Sequence, residues 1–193
     1  MPNWCSTAYV IEGDAQEVKN LYELMKGLQE RKEPSVKSGF GTTWLGCLVD
    51  ALGENWHKVN CRGDWSNLKM VDDTLRFTTE TAWAPCDETL NLVCRKFPSL
   101  SYYYQTEEPG MVIYETNDSE GKFFPEKYHV EIYTADEEFY IERFSRRSAI
   151  FEWFGEVSGQ PVKTQNEAEE LVEQWRKKNK NAFCYINRYQ IVD

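Results

Sequence analysis

The chain has 193 residues, 41% hydrophobic and 15% aromatic, with 22 Lys and Arg against 32 Asp and Glu for a formal charge of −10. That length suits one domain, or one domain with a sizeable appendage, and the aromatic content points to a core rich in Trp, Tyr and Phe. The acidic balance opposes ordinary nucleic-acid binding, which draws on Lys and Arg to displace counterions from phosphates; it suits a basic protein partner, mimicry of DNA, or solubility alone. Residues 1–120 hold 11 basic and 19 acidic side chains, so the negative charge is concentrated there.

Residues 4–12, WCSTAYVIE, read as a strand punctuated by Gly13. Asp14 is placed to cap a helix from about Ala15 to Glu30, and Glu17 completes a capping-box pattern. The helical stripe is Val18, Leu21, Leu24, Met25 and Leu28. In residues 31–66, KEPSVKSGFGTTW reads as a loop and TTWLGCLVDALG as a short helix closed by Gly53. This segment is expected to be an excursion between core elements.

NLKMVDDTLRFTTETAW (67–83) reads as two strands around the turn Asp72-Asp73. Leu75, Phe77, Thr79, Thr81 and Trp83 fall on one face of the second strand; Arg76, Thr78, Glu80 and Ala82 fall on the other. Pro85 lacks an N–H and stops the ladder, and Asp87 is expected to cap the helix that follows. That helix carries Leu90, Val93, Cys94 and Phe97 at i, i+3, i+4 and i+7 and ends at Pro98. LSYYYQT (100–106) then reads as a strand, EEPG as a turn and MVIYET (111–116) as a further strand.

Beyond these, YHVEIYT (128–134) and EFYIERF (138–144) form an expected hairpin through Ala135-Asp136, and SAIFEWFGEV (148–157) a short helix. Thr164 and Glu167 open another helix as a capping box, with Ala168, Leu171, Val172 and Trp175 as its stripe. AFCYINRYQIV (182–192) closes the chain as a strand. The predicted class is α+β. Residues 1–120 form a ferredoxin-like antiparallel sheet with its helices on one face, interrupted by the excursion at about 31–66. Residues 121–193 form a C-terminal β-β-α-α-β extension or small lobe.

With these elements placed, the chain resembles the YubB-like ferredoxin-like family of bacterial, plasmid and phage proteins. The resemblance rests on MPNWC at the very start of the first strand, TETAWAPC before the second helix, then KFPSLSYYY and EEPGMVIYE, covering roughly residues 1–116. It implies a ferredoxin-like fold without an iron–sulfur cluster and a link to mobile genetic elements. It carries over no catalytic residue. The chain departs from the family where Trp83-Ala84-Pro85-Cys86 stands for Trp-x-Pro-Pro.

The six cysteines (Cys5, Cys47, Cys61, Cys86, Cys94, Cys184) are scattered, and His57 and His129 are the only histidines. No zinc site, disulfide framework or other cofactor is predicted, and the thiols read as small hydrophobes. MPNWCSTAYV lacks the regions of a signal peptide, and no apolar run nears the roughly 18 residues of a membrane helix, so a cytoplasmic setting is expected. Phosphate-loop and nucleophile-elbow patterns are absent, and GFGTTWLG (39–46) has neither a preceding strand nor a Lys-Ser/Thr.

His57 precedes Cys61 by four residues in WHKVNC, but a catalytic pair requires an activated thiolate in a cleft. The pairs Asp72-Asp73, Glu107-Glu108 and Glu137-Glu138 fall in predicted turns, where carboxylates serve solvation and local hydrogen bonds. Tyr102 and Tyr104 share one strand face. Exposed aromatics on a sheet can stack bases, yet residues 72–120 offer Arg76, Arg95 and Lys96 against ten acids. Packing into the core or under the C-terminal segment is therefore expected.

These readings converge on a non-enzymatic intracellular interaction module that uses its sheet surface or acidic face, with Trp83, Tyr102, Tyr104, Glu80 and Glu108 as candidate contacts. Two alternatives stand beside it: an acidic DNA mimic bound by a basic nucleic-acid-handling protein, and a small enzyme with an unrecognised pocket.

Overall fold

In the computed structural model, which describes residues 3–192, the first strand β1 (Trp4–Glu12) alternates as its sequence does. Cys5, Thr7, Tyr9 and Ile11 are buried on one side; Trp4 and Ser6 are exposed on the other. Met1 and Pro2 of the opening motif, and Asp193, lie outside the described residues. The protein is α+β, and its chain divides into two units: one reaching Asp118 and including Val192, the other spanning Ser119–Ile191.

In the first unit, helix α1 (Ala15–Gln29) starts at Asp14, whose carboxylate accepts the N–H groups of Gln16 and Glu17. The expected capping box does not close. Glu17 instead accepts the backbone N–H and hydroxyl of Ser99 at 3.0 and 2.7 Å, and the Asp14 N–H donates to Ser99 Oγ. A tertiary partner displaces the local one.

The segment expected as an excursion is core. Helix α2 (Leu45–Ala51) buries Leu45, Cys47, Leu48 and Val49 together with Trp44, Leu52, Cys61 and Trp65. Gly53 closes it at φ 79°: its N–H bonds Asp50 O and the Glu54 N–H bonds Val49 O, the paired bonds of a Schellman stop.

Strand β2 (Gly63–Val71) begins four residues before its predicted start. A bulge between Ser66 and Lys69, with Asn67 at φ 54°, breaks the period-two pattern that makes a strand legible. Strand β3 (Thr74–Ala82) buries Leu75, Phe77, Thr79 and Thr81 as predicted. Helix α3 (Asp87–Lys96) follows, then β4 (Ser101–Glu108) and β5 (Ile113–Thr116). Glu107 and Glu108 thus belong to a strand and not a turn, whereas Met111 and Val112 belong to the turn and not a strand.

The strand order in this unit is β2-β3-β1-β4-β5, with antiparallel neighbours. Tyr9, Ile11, Leu75, Phe77 and Trp65 meet α1, α2 and α3 in one apolar core. The Val192 N–H donates to Thr116 O.

In the second unit, β6 (Tyr128–Tyr133), β7 (Phe139–Phe144) and β8 (Phe183–Arg188) form an antiparallel sheet in the order β7-β6-β8. Helices α4 (Arg147–Ser158) and α5 (Gln165–Arg176) bury Ile150, Phe154, Leu171 and Val172 against Val130 and Ile132. The Thr164–Glu167 capping box forms. The predicted closing strand breaks at Tyr189, which is buried; its N–H bonds Lys127 O and its hydroxyl accepts from Arg143 Nε.

Candidate functional site

The corner after β3 is pinned by hydrogen bonds. Ala82 N–H donates to Arg62 O and Trp83 N–H to Asn3 O, both at 2.9 Å, while the Thr81 hydroxyl donates to Ala84 O at 2.8 Å. These bonds hold Trp83 at φ +75°, a conformation that bulky side chains rarely adopt, and leave it 44% exposed. Trp83 therefore does not continue the buried face of Leu75 and Phe77, because the backbone turns before the alternation reaches it.

Asp87 does not cap α3 either. Cys86 occupies the N-cap position without a side-chain bond, and Asp87 is the first helical residue. Its Oδ1 is buried without a hydrogen-bond partner, and burial, reinforced by Glu115, raises its carboxyl above the usual range.

The β4–β5 turn is organised by Glu108. Only 2% exposed, its carboxylate accepts the Gly110 N–H at 2.9 Å and the Met111 N–H at 2.6 Å. The turn it holds sets Val112 at φ +58° and leaves Met111 48% and Val112 68% exposed. A Cβ on Gly110 would approach Asn3 Nδ2 to 2.5 Å, so this turn adjoins the residue that accepts the Trp83 N–H. Trp4, 55% exposed, stands opposite Ala82. Four large apolar side chains, Trp4, Trp83, Met111 and Val112, are thus presented at one end of the sheet.

Carboxylates line the sheet beside them. The register sets Asp64 opposite Glu80, Glu80 opposite Ser6, and Ser6 opposite Glu107, a row about 14 Å long across four strands. This row lies on the side of the sheet away from the helices. Glu80 is exposed, and burial raises the Asp64 carboxyl. Among the described residues neither Asp64 nor Glu80 forms an ion pair. Asp64 and Glu80 stand directly opposite each other, a placement that disfavours like charges.

Three of the five sequence candidates, Trp83, Glu80 and Glu108, meet at this end of the sheet. Tyr102 and Tyr104 do not. They lie on the helix-facing side with Tyr9, whose ring is 5.1 Å from Phe77, 5.9 Å from Tyr104 and 6.3 Å from Tyr102. The Tyr102 hydroxyl donates to Asn91 Oδ1 on α3. Burial, then the charge of Asp87, pushes the Tyr102 phenol up to about 12 and Tyr104 further. Helix α3 covers these rings, which leaves no open stack for bases.

His57 and Cys61 line one groove, but the thiol is not activated. Cys61 is buried, donates to Trp56 O, and is pushed by burial up to about 11, so it stays protonated at neutral pH. His57 stacks on Trp56 at 3.5 Å. Among the described residues no group of three or more His, Cys, Asp or Glu is placed to hold a metal ion.

Sequence reading missed Trp4, Asp64, Glu107, Met111 and Val112. The outward phase of Trp4 was legible in the alternation of β1, whereas Asp64 was hidden by the bulge in β2. No protein-family model, curated protein or solved structure matches this chain.

Proposed function

We propose that this protein is a non-enzymatic interaction module that docks a basic segment of a partner protein on the exposed end of its first sheet. The observation that carries this reading is the exposure of Trp83 and Val112 on left-handed backbones, held there by Asn3 and Glu108. Strain of this kind costs roughly 1–3 kcal/mol per residue, persists only where surrounding contacts enforce it, and clusters at functional sites. Trp4, Trp83, Met111 and Val112 supply apolar anchors of the type that dominate interfaces. Asp64 and Glu80 beside them select Lys and Arg on the partner.

The DNA-mimic alternative calls for an unbroken acidic face. Lys69 and Arg76 pair opposite each other across β2 and β3, and they favour the docking reading over mimicry. The strand order β2-β3-β1-β4, with α1 and α3 between strands, supports a ferredoxin-like description of the first unit. The YubB-like resemblance, with its link to mobile genetic elements, belongs to the same proposal. A cytoplasmic setting is likewise part of it, supported by six free cysteines and by no described helix being long and apolar enough to cross a membrane.

The test is capture of partners from the native cell at low and high salt, with wild-type protein beside Trp83→Ala and Glu80→Lys. A protein partner lost at high salt and lost with both substitutions supports the reading. Capture that ignores both substitutions refutes it.

A further inference from the structure

Beyond the edge strand β2, Phe40, Trp44, Trp56, His57, Lys58 and Arg62 line a groove of about 480 Å³ that the docking surface does not use. We propose that this groove binds a mononucleotide, its base against Phe40, Trp56 and His57 and its phosphate between Lys58 and Arg62.

The rings form a built wall. Trp44 is buried in the core and carries Phe40 stacked at 5.0 Å and Trp56 edge-on at 5.1 Å, and His57 stacks on Trp56 in turn. Phe40 is 55% exposed although it is fixed against this wall, so a ring face remains for a planar ligand. Aromatic faces of this kind stack any base.

Charge selects the rest of the ligand. Residues 56–62, WHKVNCR, contain Lys58 and Arg62 and no acid, within a strongly acidic chain. Both cations are exposed, and among the described residues neither forms an ion pair. Glu88, on the flank, is engaged by the Asn60 N–H at 2.7 Å. Arg and Lys held beside an aromatic wall suit a phosphate attached to a ring.

The volume falls within the roughly 300–1,000 Å³ of small-molecule sites. A polynucleotide would have to continue over the acidic remainder of a chain with formal charge −10, which repels it. A single nucleotide meets only the basic groove.

The experiment is isothermal titration of the full chain with adenosine and uridine monophosphates, adenosine, inorganic phosphate and a short oligothymidylate. Both monophosphates are expected to bind. Adenosine and phosphate are each expected to bind at least roughly tenfold more weakly, since each keeps only one half of the recognition. The double variant Lys58→Glu/Arg62→Glu, changed at two exposed positions, should lose roughly tenfold or more in affinity, as should Phe40→Ala. Trp83→Ala should bind the monophosphates as wild type does. The proposal is overturned by silence from both monophosphates, by unchanged affinity in both groove variants, by phosphate binding as tightly as a monophosphate, or by tighter binding of the oligothymidylate.

Discussion

Substituting Trp83 by Ala and by Gly separates the contribution of its side chain from that of its backbone. At 44% exposure roughly 100 Å² of the indole is covered, so both variants lose about 2.5 kcal/mol of burial. They differ in what φ +75° costs them. A residue with a Cβ is strained there by about 1–2 kcal/mol, and glycine is not. Glycine's extra freedom in the unfolded chain offsets about 0.4–1 kcal/mol of that gain. Trp83→Gly should therefore be more stable than Trp83→Ala by about 0.5–1 kcal/mol, the reverse of their order at an ordinary backbone position.

Urea unfolding monitored by circular dichroism reads this as a midpoint roughly 0.3–0.5 M higher for the Gly variant at equal slope. Both variants should lose partner capture alike, because each lacks the ring. If the Ala variant proves as stable as the Gly variant, or more so, the corner is not strained and the argument from strain to function fails.

Val112→Gly tests the same logic where little burial is at stake, since Val112 is 68% exposed at φ +58°. It should raise the melting temperature by about 2–4 °C and weaken docking; a lower melting temperature would contradict the assigned turn. Glu108→Ala orphans the Gly110 and Met111 N–H groups and should cost about 2–4 kcal/mol in denaturant titration, with Glu108→Gln between it and wild type; a change near zero would remove Glu108 as the organiser of the turn.

Burial raises the Asp87 carboxyl above its unfolded value, so the folded state holds that proton more tightly. The group favours folding at acid pH and withdraws that contribution as pH rises through the carboxylate range. Asp87→Asn should be more stable than wild type at neutral pH and lose the advantage on acidification, as measured by thermal melts across pH; a pH-independent difference would contradict the shift. Cys61 at about 11, and Cys86 and Cys184 at about 12, should react with a thiol reagent at mildly alkaline pH only as the protein unfolds. Rapid labelling of Cys61 in the native state would reopen its reading as a nucleophile.

Elements whose signal is local are legible from the residues alone. The alternation of β1 and β3, the stripe of α1, the Thr164–Glu167 box and the Gly53 stop each depend on side chains a few residues apart, and the structure forms them where periodicity places them. Long-range packing takes over wherever a distant group displaces a near one. Ser99 takes Glu17 from its capping box, Asn3 holds Trp83 out of the strand's alternation, and the bulge at Asn67 conceals the start of β2. The candidate site divided along the same line. Glu80 is readable from strand phase, but Asp64, 16 residues away, comes to stand opposite it, and Glu107, 27 residues away, joins its row across Ser6, only through the register of the assembled sheet. The period of two also puts Tyr102 and Tyr104 together on one face, yet which face the helices cover is settled by packing, and α3 lies over theirs. Local pattern is set by bonded geometry and travels with the chain; a surface made of several strands exists only after folding has brought them side by side.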